Sequence, residues 1–149
     1  MHRILIALLA AAGIGQAAHA SVDTTPPPGG VYRLKPGLYV ADGTDCASPP
    51  NAALLRYDGK GLGGAHDRAC KAAVVKKTRT RTDGRPSTTY RVRQTCIDAG
   101  EGPAPRSTES QTVTVRDALT FDLRTAGPAT TFRYCPVYQL PPELQKYGR

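Results

Sequence analysis

The chain has 149 residues, 20 Lys and Arg against 12 Asp and Glu, four Cys and no Trp. That length excludes an array of domains, and a net charge of +8 directs attention to anionic partners.

The first 20 residues read as a secretory signal peptide. His2 and Arg3 form a short basic start, Ile4 to Gly15 a 12-residue apolar run, and Ala18-His19-Ala20 a small-x-small cleavage pattern before Ser21. As a helix that run reaches only about 18 Å, too short for a bilayer core of roughly 30 Å. No transmembrane segment is therefore expected, and the mature chain is placed in the periplasm or outside the cell. It keeps 19 basic and 12 acidic residues. Only 21 of its residues are Val, Ile, Leu or Phe. So thin an aliphatic core predicts reliance on disulfides, with the seven Tyr supplying amphipathic bulk.

Ser21 to Gly30, with three consecutive Pro, reads as a flexible leader, and residues 31–149 as one domain. From Val31 onward short alternating runs are separated by Gly, Pro and Asp. Leu38 and Val40 mark an early strand; Ala53, Leu55 and Tyr57 mark another, ended by the Asp58-Gly59 turn signal. Lys71 to Thr82 and Thr88 to Ile97 flank Asp83-Gly84-Arg85-Pro86, a second hairpin signal. Thr112 to Arg116, Leu119 to Arg124 and Thr130 to Cys135 complete the set, and a helical turn is expected after Pro141-Pro142. Seven or eight short strands without helical periodicity predict an all-β fold: an antiparallel meander closed as a barrel or folded as a sandwich.

Cys46, Cys70, Cys96 and Cys135 allow three pairings. Loop-closure cost favours sequential pairing, Cys46 with Cys70 and Cys96 with Cys135, over the nested alternative with its loop of 89 residues. A zinc site is disfavoured because no Cys-x-x-Cys pair is present. Neither a metal nor a cofactor is expected.

Catalytic chemistry has little to build on. His66 is the one histidine of the mature chain, and its neighbour Asp67 is badly placed to orient it from the same loop. Gly59-Lys60-Gly61-Leu62-Gly63-Gly64 is Gly-rich but lacks the Lys-Ser/Thr ending of a phosphate loop. A non-enzymatic protein is expected, with a small hydrolase using His66 as the third-ranked reading.

The charge is local. Lys71, Lys76, Lys77, Arg79, Arg81, Arg85, Arg91 and Arg93 share a 23-residue segment with one acid, Asp83, while the rest of the mature chain balances. Residues two apart on a strand share a face, so Lys77, Arg79 and Arg81 project together, as do Arg91 and Arg93. A four-residue turn would set Lys77 opposite Val92, Arg79 opposite Tyr90 and Arg81 opposite Thr88; a three-residue turn would set Arg91 opposite Lys77. Such a hairpin can simply be a solvated edge blunted by Lys and Arg. Confinement of the charge and the use of Arg, which suits bidentate anion recognition, favour contact with an anionic envelope polymer or an acidic protein. Nucleic acid is disfavoured, because Tyr90 is the one aromatic residue in the segment. The second reading is a structural or inhibitory protein–protein module using the loops Cys46 to Asn51 or Pro136 to Pro142. A monomer is expected in either case.

Overall fold

A computed structural model describes residues 25–98 and 106–148; the expected signal peptide at 1–20 lies outside the described residues. The fold is all-β, with eight antiparallel strands in a nearly closed barrel. They are β1 (Gly37–Ala41), β2 (Leu54–Tyr57), β3 (Leu62–Gly63), β4 (Asp67–Thr82), β5 (Arg85–Asp98), β6 (Arg106–Asp117), β7 (Thr120–Arg124) and β8 (Thr130–Cys135). Apart from β3 and β4, strands adjacent in sequence pair in space, and β8 returns to pair with β1. The expected helical turn is α1, Pro142–Gln145, with Pro142 in its first turn.

Alternation decides what faces inward. Tyr39 on β1 pairs with Leu55 and Tyr134, while Phe121 on β7 pairs with Val115 and Phe132, so these side chains share the interior face. Leu38 and Val40, the residues that mark β1 in the sequence, point the other way. They form a second buried cluster with Cys46, Leu54, Cys135 and Leu140, against which Leu144 of α1 packs. The barrel thus has an inner core and an outer patch covered by the C-terminal segment.

Tyrosine makes up for the missing aliphatics. Tyr32, Tyr39, Tyr57, Tyr90 and Tyr134 all belong to the inner core, in edge or tilted contacts such as Tyr32–Tyr90 at 5.4 Å and Tyr39–Phe121 at 5.2 Å. The hydroxyls of Tyr39 and Tyr57 tie down chain at one end of the barrel. Tyr39 donates to the carbonyl of Lys35 at 2.7 Å, and Tyr57 donates to that of Gly29 at 2.7 Å while accepting from the Tyr32 amide at 3.0 Å. The close of the Pro/Gly-rich segment, Gly29 and Gly30, is therefore docked on the barrel, and Tyr32 and Leu34 are fully buried behind it.

Closure depends on the shortest strand. β3 has two residues, so β4 finds little backbone to pair with. Gln94 of β5 fills the gap: buried, it accepts from the Leu62 amide at 2.7 Å and donates to the Leu62 carbonyl at 2.5 Å. The Ala72 amide donates to the Lys60 carbonyl at 2.8 Å beside it. A side-chain amide here does the work of a neighbouring peptide group. A Cβ on Gly61 would lie 2.9 Å from the Cys70 backbone, so the close approach requires glycine. The Gly-rich run is the seam of the barrel.

Two sequence expectations are corrected. The disulfides are nested, Cys46–Cys135 and Cys70–Cys96, not sequential. Strand pairing sets each pair side by side: Cys70 and Cys96 face each other across the β4–β5 hairpin, and Cys135 ends β8 beside β1 and the loop carrying Cys46. Loop-closure cost in an unfolded chain is the wrong criterion once strand pairing has closed the loop.

The hairpin register also differs from both expected alternatives. Lys77 lies opposite Tyr90, Arg79 opposite Thr88 and Arg81 opposite Pro86. Asp83 and Gly84 both have positive φ, 51° and 75°, which is the two-residue turn favoured by strand twist. Arg85 and Pro86 join the strand, and the pairing slides by two. An irregularity between Val74 and Lys76 then resets β4.

Three measurements test this fold. Gln94→Leu leaves both Leu62 backbone groups buried and unpaired, and is expected to lower stability by about 2–4 kcal/mol in urea titration. Reduction of both disulfides is expected to unfold the domain or lower its melting temperature sharply; an unchanged melting curve would contradict the weight given to them. Burial, with neighbouring phenols adding to it, raises the hydroxyl pKa of Tyr32 and Tyr39, and burial raises that of Tyr57. A raised folded-state pKa gives stability that is complete below the unfolded value of about 10 and declines above it, by about 1.4 kcal/mol per pH unit per proton. The domain is expected to lose stability steeply above about pH 10, and Tyr39→Phe to make that decline shallower.

Candidate anion-binding surface

β4 and β5 are the longest strands, with 16 and 14 residues. Their cations divide between two faces by alternation and register. Lys77, Arg79 and Arg81 share the face of Tyr90 and Thr88, and the Lys77 ammonium lies 5.4 Å from the Tyr90 ring centroid. Arg85, Arg91 and Arg93 alternate with those inward residues and take the outer face. The irregularity at Val75 turns Lys76 to that face, opposite Arg91; Lys71, opposite Thr95, joins them. The segment read from sequence as one basic unit is thus two surfaces, with five cations outside and three on the other side.

The outer surface extends across neighbouring strands. Lys76 pairs with Arg91, Arg91 with Thr112 and Thr112 with Arg124, so one row crosses four strands with three cations and a hydroxyl. Ser110 lies opposite Arg93 on the same face. The next row carries one carboxylate, Asp122, and is cross-linked: Thr89 and Thr114 share a hydrogen bond of 3.0 Å, and Thr131 donates to Asp122 at 2.7 Å. These hydroxyls fix one another along the sheet.

Arg91, Arg93 and Arg124, with Thr89, Ser110 and Thr112, line a hollow of about 850 Å³ whose far wall is Thr125 to Gly127. Among the described residues, no carboxylate lines it. Arg124 was not singled out from sequence. Its row is set by the β6–β7 register, which has its own irregularity between Val115 and Asp117; alternation shows only that it faces away from Phe121 and Leu123.

The one acid between Lys71 and Arg93, Asp83, is already engaged. Asp83 accepts from Arg116 at 3.0 Å, and the same guanidinium reaches Asp122 at 2.9 Å. Hydrogen bonding to Asp122 raises the Arg116 pKa still further. Among the described residues, none of the eight hairpin cations forms an ion pair.

Elsewhere the sequence candidates are not assembled into a site. His66 is exposed in the turn before β4, and the Asp67 carboxylate accepts from the Gly64 amide at 3.0 Å instead of orienting the imidazole. Asp67 lies close to Cys70 and Cys96, but those sulfurs are bonded to each other and offer no thiolate. Among the described residues, no helix is long and apolar enough to cross a membrane. Compared with known protein families, curated proteins and solved structures, the chain matches none.

Proposed function

We propose that this chain is an exported, non-enzymatic binding domain whose basic β4–β5 hairpin contacts an anionic partner of the cell envelope. Among the described residues, the eight exposed cations of residues 71–93 have no carboxylate partner, and that segment's single acid, Asp83, is held by Arg116; this carries the reading. Arginines without internal partners keep their fork of donors for an external anion. A hairpin built only for solubility would work with its charges paired or interspersed. The two disulfides fit the oxidising environment of the periplasm or the extracellular space, and the apolar start of the chain fits export.

A second reading, a protein–protein module, draws support from one further observation. From Ala73 to Thr82, β4 pairs only with β5, which leaves its other backbone edge open among the described residues. Such an edge accepts an added strand, and the four cations Lys76, Lys77, Arg79 and Arg81 would select an acidic one.

Immobilised heparin tests the polyanion reading. The wild-type domain is expected to be retained at low salt and released steeply as salt rises. Arg79→Glu, Arg81→Glu, Arg91→Glu and Arg93→Glu together are expected to abolish retention. A folded quadruple variant that elutes with the wild type would overturn it.

A further inference from the structure

We propose that the hollow between Arg91, Arg93 and Arg124 is the specific ligand site of this domain, and that it takes an acidic polysaccharide. The proposal rests on the polyanion reading above and narrows it to one face of the hairpin and one class of polymer.

Geometry separates this face from the rest of the basic surface. Lys77, Arg79 and Arg81 line one strand, and Lys77 is already placed against the Tyr90 ring. Arg91, Arg93 and Arg124 instead surround a concave volume of about 850 Å³. Arg91 and Arg93 are two residues apart on β5, about 7 Å along the strand. Arg124 is two strands away from Arg91 through Thr112, or about 10 Å. These are backbone spacings, and a chain bearing anionic groups at intervals matches three arginines spread over them.

The lining selects the polymer. Between the arginines the surface offers hydroxyls, Thr89, Ser110 and Thr112, and among the lining residues no aromatic ring. Nucleic acid binding without stacking surfaces would rest on phosphate contacts alone. A saccharide presents hydroxyls that both donate and accept, which matches a Ser/Thr surface, while its carboxylates or sulfates meet the arginine forks. No carboxylate among the described lining residues opposes such a ligand.

Isothermal titration of the mature chain tests this with four probes: a heparin hexasaccharide, a galacturonate hexamer, a short DNA duplex, and vesicles of phosphatidylglycerol with phosphatidylcholine. At least one acidic oligosaccharide is expected to bind more tightly than duplex or vesicles at equal ionic strength; the first two probes separate sulfate from carboxylate recognition. Arg91→Gln with Arg124→Gln is expected to weaken that binding about tenfold or more, and Arg79→Gln with Arg81→Gln by no more than about threefold, the size of a screened rim charge. Thr112→Val is expected to weaken it about threefold with the salt dependence unchanged, because a neutral contact releases no counterions. These substitutions are at partly or fully exposed positions, and circular dichroism confirms the folded state. Equal losses in the two Arg pairs would overturn the hollow while leaving the polyanion reading intact. Tighter binding to duplex or vesicles would overturn the polysaccharide class alone. No binding to any probe at low salt would overturn both readings.

Discussion

Closure of the barrel between β3 and β4 is the constraint on which the rest of the molecule depends. Two residues of β3 must hold a sheet whose next strand is 16 residues long. Backbone pairing alone leaves the Leu62 amide and carbonyl buried without partners, a serious cost in a small domain. The Gln94 side chain satisfies both groups from the neighbouring hairpin, and the Cys70–Cys96 bridge joins β4 to β5 at the same level. Glycine at 61 lets the segments approach where a methyl group would collide with the Cys70 backbone. Polar, covalent and steric requirements coincide at one seam. Because β3 ends so soon, the lower part of β4 is released from the barrel, and that release exposes the basic hairpin.

The interior solves a related problem. An aliphatic core this thin would leave the domain marginal, and tyrosine changes the balance in two ways. Each ring buries more surface than a Val or Leu, and a hydroxyl placed at the rim can reach a loop carbonyl. Tyr39 and Tyr57 do both, packing within the barrel while holding Lys35, Ala118 and Gly29. Loop order at one end of the barrel is therefore an extension of core packing. The charge asymmetry of the chain fits the same plan, since the buried layer contains no ionised side chain among its core residues and the cations are left to the exposed strands.

Local chemistry was legible in the sequence, and long-range pairing was not. The run Thr130 to Cys135 became β8 with the bounds that alternation gives it, and Asp83-Gly84 became a turn because only certain residues tolerate two consecutive positive φ angles. An all-β meander, barrel or sandwich, followed from counting such runs. Disulfide partners did not follow, because they depend on which strands meet: Cys135 finds Cys46 through the β8–β1 pairing, which no local pattern announces. The hairpin register slid by two residues because the turn was shorter than the Pro86 punctuation suggests, and the displacement at Val75 has no sequence mark at all. Gln94 likewise looks like an ordinary polar strand residue until β3 lies against it. The candidate surface inherits these limits. Its β5 arginines were visible, whereas Arg124 joined them only through a register two strands away.

The distribution of charge links stability to binding. Arg91 and Arg93 lie about 7 Å apart on one face, within the screening length of about 8 Å at physiological salt, so their repulsion is only partly screened. Arg124 adds a third charge to the same concavity, and among the described residues no acid lines it. Asp83 could have relieved the hairpin locally, but Arg116 holds it. The folded state thus concentrates positive charge that the unfolded chain would spread over a larger volume, and this opposes folding. A polyanion seated across the three arginines removes that penalty only in the folded state, where the register brings Arg124 beside Arg91. Binding and folding are therefore coupled through the same register, and a ligand that requires all three arginines stabilises the barrel by its preference for the folded arrangement.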